Sequence, residues 1–75
     1  MVIQVAKSTI AKWVEMEVCS VPRIGERICF DEWDEDSDFI TDHEAIVEDV
    51  IYHSKPLNET YHKVYAVLVL IKFVE

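Results

Sequence analysis

Glycine is nearly missing from this chain. Gly25 is the only one among 75 residues, and it is accompanied by just two prolines. A phosphate-cradling loop, a dinucleotide-binding turn and a GxSxG nucleophile elbow each need glycines at fixed spacing, so none of them can be built here. Long apolar runs are missing too. The longest, Val64 to Ile71, is eight residues, against the roughly 20 that a membrane helix needs. The opening "MVIQVAKSTIAKW" has no basic n-region, no clean apolar stretch and no small-residue cleavage site, so no secretory signal is read there. The expectation is a cytoplasmic protein with no membrane partner. In that compartment Cys19 and Cys29 are expected to be reduced, buried thiols.

Metal and catalytic signatures are equally thin. Zinc needs four ligands, and the two cysteines with His43, His53 and His62 make no CxxC or HxxxH spacing. Cys, Ser, His and Asp occur only as residue types, without the local context that marks a nucleophile and its base. A domain this small seldom encloses a cleft of its own. The expectation is a non-enzymatic protein without a cofactor.

What the chain does have is acid in one place. Of fifteen Asp and Glu residues, ten lie between Asp31 and Asp49, where there is no Lys or Arg; the rest of the chain holds seven basic and five acidic side chains. The net charge of −8 therefore belongs to one segment, and direct binding of nucleic acid by that face is not expected.

Half of the residues are hydrophobic, and isoleucine and valine are plentiful, which favours strands. "VIQVA", residues 2–6, reads as a short strand. From Trp13 to Val18 the alternation sets Val14, Met16 and Val18 against Trp13, Glu15 and Glu17. A helix from Ser8 competes, because Ile10, Trp13, Val14 and Glu17 also fit a period near 3.6 residues. "VPRIGER" then makes a turn: Pro22 fixes its own φ, and Gly25 can take a positive φ. A second strand through Ile28 and Phe30 is expected to run back along the first, placing Cys19 and Cys29 opposite or diagonal to each other. Residues 31–43 read as an acidic connection. Ala45 to His53 is the next strand, with Ile46, Val50 and Tyr52 on one face and Val47 and Ile51 on the other. "SKPLNET" reads as a turn. Tyr61 to Val74 is the last strand, apolar on both faces from Val64 to Ile71, a pattern that demands cover on both sides.

The run "SVPRIGERICF", a long polar stretch, "AIVEDVIYH" and an alternating apolar C-terminal strand resemble small SH3-like β-barrel proteins of bacterial and phage origin, across roughly residues 14–74. The resemblance implies one mainly β domain over residues 1–75: a small closed or half-open barrel of about five antiparallel strands, with one short N-terminal helix as the variant reading. It implies little about activity, since folds host many functions.

Three functions compete for the acidic stretch "DEWDEDSDFITDHE". A calcium loop starting at Asp34 would place Asp34, Asp36 and Asp38 correctly, but it meets Phe39 where glycine is needed and Ala45 where a bidentate glutamate is needed. A divalent-metal site is thus the weaker alternative, and no metal ligand is assigned. A solvated connection that keeps strand edges apart is the plain reading. The sharper reading is a surface for a basic partner protein, with Asp31, Glu32, Asp34, Glu35, Asp36 and Asp38 imitating a phosphate backbone, and Trp33 and Phe39 as apolar anchors. Small acidic phage inhibitors of host defence proteins are similar in size and charge. The alternative class is a structural protein that self-associates, a homodimer through Val64, Ala66, Val67, Leu68, Val69 and Leu70. The aromatics other than Trp33 are read mostly as core or cross-strand packing.

Overall fold

The computed structural model describes residues 1–35 and 38–74, and for residues 32–43 the backbone alone. Five strands are present: β1 (Val2–Ala6), β2 (Val14–Glu17), β3 (Arg27–Glu35), β4 (Asp38–Pro56) and β5 (His62–Phe73). They form one sheet in the order β2-β1-β5-β4-β3, strongly curled into a half-barrel, and no helix occurs among the described residues. The mainly β, half-open architecture expected from the sequence is the one observed. The strands are not all antiparallel: β1 runs parallel to β5, pairing Gln4 with Leu68 and Ala6 with Leu70.

That pairing explains the apolar C-terminal strand. β5 lies between β1 and β4, and from Val67 to Ile71 it is covered within the chain, while Val64 and Tyr65 stay exposed. Val67, Val69 and Ile71 point into a core shared with Ile3 and Val5 of β1, Phe30 of β3, and Ala45 and Val47 of β4. Val14, Met16 and Val18 pack against this core from one side while Glu15 and Glu17 stay exposed, as the alternation requires. The ring of Phe73 meets that of Phe30 edge to face, with centroids 6.0 Å apart. The outer row is covered as well: Leu68 is buried and lines a groove with Ser8, Thr9, Ala11 and Trp13.

The segment 8–13 is neither helix nor strand. The Ala11 N–H donates to both the carbonyl and the hydroxyl oxygen of Ser8 (3.3 and 3.1 Å), closing one turn that goes no further. Serine competing for backbone donors in this way disfavours a continuing helix. Ile10, which a helix would have buried, is 95% exposed.

The "VPRIGER" turn is used differently from expectation. The Glu26 N–H donates to the Arg23 carbonyl (3.0 Å), with Gly25 at the third position and φ of 91°, as in a type II turn. The Glu26 side chain also accepts from the Arg23 N–H. The turn then docks on β4: the Gly25 N–H donates to the Val47 carbonyl (2.8 Å), and the Val47 N–H to the Glu26 carbonyl (2.9 Å). β3 consequently pairs with β4, and β2 and β3 are opposite edges of the sheet, not a hairpin. The facing of Cys19 and Cys29 goes with that hairpin; both are free and exposed, not buried.

Gly25 gives a clean test of this turn. A Cβ there would meet nothing within 4 Å, so Gly25→Ala should cost only the left-handed backbone penalty, about 1–2 kcal/mol. Thermal unfolding should show a drop of roughly 4–8 °C per kcal/mol, and Gly25→Asn should lose less, because asparagine tolerates positive φ better.

β4 is the organising strand. Its first half pairs with β3 and its second with β5, and the two ladders overlap only around Ala45 and Ile46. Two irregularities interrupt its ladder with β5, leaving Glu48 on β4 and Tyr65 on β5 without a partner. The bulge at Glu48 shifts the alternation by one residue, so Val47 and Val50 both reach the core that strict alternation would have divided between faces. The far turn is closed by the Leu57 N–H on the Tyr61 carbonyl (2.8 Å) and the Thr60 N–H on Asn58 Oδ1 (2.9 Å).

Candidate functional site

The acidic stretch is not a loop. Residues 31–35 complete β3 and residues 38–43 begin β4, in register: Glu32 opposite Thr41, Trp33 opposite Ile40, Asp34 opposite Phe39 and Glu35 opposite Asp38. The ladder between β4 and β5 starts only at Ala45 and Phe73, with a last backbone bond from the Val74 N–H to the Glu44 carbonyl (2.8 Å). Residues 31–35 and 38–43 therefore form a two-stranded arm that continues past the end of β5. Strand geometry at roughly 3.3 Å per residue carries the Glu35 backbone well clear of Phe30, the last core residue of β3 among those whose side chains are described.

Seven of the eight residues singled out in the sequence lie on this arm: Asp31, Glu32, Trp33, Asp34 and Glu35 on β3, and Asp38 and Phe39 on β4. Asp36 falls outside the described residues. Pairing sets Glu35 against Asp38, and like charges directly opposite each other weaken a sheet. Asp31, at the root, is exposed. There too, Arg27 Nη1 lies 2.9 Å from Glu44 Oε1, an exposed ion pair worth about 0–1 kcal/mol. Beside it is a hollow of about 490 Å³ lined by Ile46, the bulged Glu48, Lys72, Phe73 and Val74. Asp34 and Asp38 sit on different strands, so the single wrapped loop that the calcium spacing requires is not formed there. Among the described residues no group of three or more His, Cys, Asp and Glu side chains is placed to hold a metal.

At the other end of β4 the structure assembles a cluster that sequence reasoning passed over. Trp13, Tyr52, Tyr61 and Tyr65 are 56–62% exposed and are not core residues. The Tyr65 ring lies 6.1 Å from that of His53, with Lys55 Nζ 6.0 Å from its centroid, within cation–π range. Gln4, Trp13, His53, Tyr65, Ala66 and Leu68 line a groove of about 320 Å³ that Ser8, Thr9 and Ala11 close. The signal available in the sequence was Tyr65 near His62 and Lys63 on one strand, with His53 and Lys55 on the strand that pairs with it.

No helix among the described residues is long and apolar enough to cross a membrane. The chain matches no family model, no curated protein and no solved structure.

Proposed function

We propose that the protein is a non-enzymatic binding module whose acidic β3–β4 arm engages a basic surface on a partner protein. The observation that carries this reading is the placement of five acidic residues, Asp31, Glu32, Asp34, Glu35 and Asp38, on the paired strands of an arm beyond the core. An acidic loop would lose chain entropy on docking; paired strands have already lost most of it, and preorganisation of this kind raises affinity. Glu35 stands opposite Asp38 in the backbone register, and like charges at such positions weaken a sheet and favour an external cation. A dense run of carboxylate residues on one arm suits a groove that otherwise takes a phosphate backbone, so the partner class is a nucleic-acid-binding protein. A phage or mobile-element origin, with a defence enzyme as the target, extends the same proposal.

Competition tests it. A captured basic partner should be displaced by duplex DNA or heparin, with the loss of binding tracking polyanion concentration. Capture indifferent to polyanion would overturn the phosphate-mimic reading. Self-association through β5 as the function is less well supported, because Val67, Leu68 and Val69 are already buried within the chain.

A further inference from the structure

The two ends of β4 carry opposite charge. At its N-terminal end Glu35 faces Asp38, and at its C-terminal end Lys55 faces Lys63. Both are like-charge cross-strand pairs, unfavourable in the isolated molecule and each relieved by the opposite charge. Neither Lys55 nor Lys63 makes an ion pair with a described residue. Lys55 and its partner Lys63 stand at the Tyr65 end of the groove, Lys7 and Lys12 lie on either side of the segment that closes it, and Glu15, opposite Gln4, is its acidic neighbour. Eight of the fifteen acidic side chains lie between Asp31 and Glu44. Because β4 is one continuous strand of 19 residues in a molecule 45 Å long, the two ends cannot meet within one chain.

We propose that the groove between Trp13 and Tyr65, with the lysine pair beside it, is the docking site for the acidic arm of a second copy of this chain, so that the protein associates head to tail. Charge complementarity selects that occupant. The exposed rings of Trp13 and Tyr65 supply apolar contact area, and the arm brings Trp33 and Phe39. Backbone pairing is available too. β1 begins at Val2, which the parallel register sets beside Ala66, so the edge of β5 from His62 to Val64 extends beyond β1. An added strand can occupy such an edge. The contact is heterologous, the arm of one copy on the groove of the next, so it builds open chains or rings and not an isologous dimer. Lysines among aromatics also suit single-stranded nucleic acid, but a chain of net charge −8 repels it, whereas the arm carries the matching charge.

Self-association would occupy the arm that engages a foreign partner, so the free arm would become scarcer as the protein accumulates. The inference shares the arm with the proposed function but not the partner, and the two fail separately. Sedimentation velocity on a concentration series should show wild-type mass rising at about 0.05 M salt and falling to monomer at about 0.5 M. K55E/K63E alone, and D34K/E35K/D36K/D38K alone, should associate at least about tenfold more weakly. Mixing these two variants should restore association, because each supplies the end complementary to the other. Both lysines are exposed, and circular dichroism should confirm that K55E/K63E folds. Under the proposed function that variant should still capture the foreign partner. A wild type that stays monomeric at low salt, association unaffected by K55E/K63E, or no recovery on mixing would overturn head-to-tail docking. So would a labelled oligothymidylate that binds wild type but not K55E/K63E in the absence of self-association, since the groove would then belong to nucleic acid.

Discussion

Val69→Asp is expected to leave the protein without a cooperative unfolding transition. Val69 is fully buried on the central strand, among Val5, Val47, Val67 and Ile71. An uncompensated carboxylate in such surroundings costs several kcal/mol even after relaxation or protonation. A chain of this length holds about 4–11 kcal/mol in total at 0.05–0.15 kcal/mol per residue. Circular dichroism at 25 °C should show the strand signal of Val69→Asp largely lost. Val64→Asp, on the same strand but 47% exposed, should stay within about 0.5 kcal/mol of wild type, as surface substitutions usually do. If β5 were instead an exposed self-association strand, both substitutions would change the oligomeric state and leave the monomer folded. A folded, monomeric Val69→Asp would contradict the central position of β5.

The second large effect is on binding, with the fold left intact. Replacing Asp34, Glu35, Asp36 and Asp38 by lysine adds two positive charges at each site, taking the net charge from −8 to zero. Phe30 is the last core residue of β3 among those whose side chains are described, and charged residues such as these four are rarely buried. Thermal stability should therefore move by no more than about 1 kcal/mol, and the removal of like-charge repulsion along the arm acts in the stabilising direction. Binding to a basic surface should fall by orders of magnitude, because every close charge pair becomes a repulsive one. Solubility near zero net charge should decline as well, so the comparison belongs at low protein concentration.

Much of the fold was legible in local patterns. "VIQVA" marked β1, the alternation from Val14 to Val18 marked β2, and the Pro22–Gly25 punctuation marked a turn with positive φ at its glycine. The demand for cover on both faces holds from Val67 to Val69 and not at Val64 and Tyr65, which are exposed, and its source was not visible. Parallel pairing of β1 with β5 joins segments more than 60 residues apart, and no local pattern encodes such a partner. The same blindness put β3 beside β2, when the backbone bonds of the Gly25 turn go to Val47. The bulge at Glu48 hid which face of β4 enters the core, since one inserted residue reverses the alternation on which the reading depends.

The acidic arm was found by charge and missed as structure. Asp and Glu have low strand propensity, and six of them mask Trp33 on one side and Phe39, Ile40 and Thr41 on the other. Those four residues, spaced about "EDSD", were the strand signal. The basic aromatic groove was missed for a different reason. Tyr65, the tyrosine that lines it, sits in an apolar strand where packing is expected, and only its exposure shows that it is not packed.

The most direct test is affinity capture from a cell lysate with wild type beside D34K/E35K/D36K/D38K, each at about 0.1 M and about 0.5 M salt. A nucleic-acid-binding protein retained by wild type, released by salt and absent from the folded variant is the expected result. Equal retention by the two proteins, or retention that salt does not weaken, would contradict a binding role for the arm.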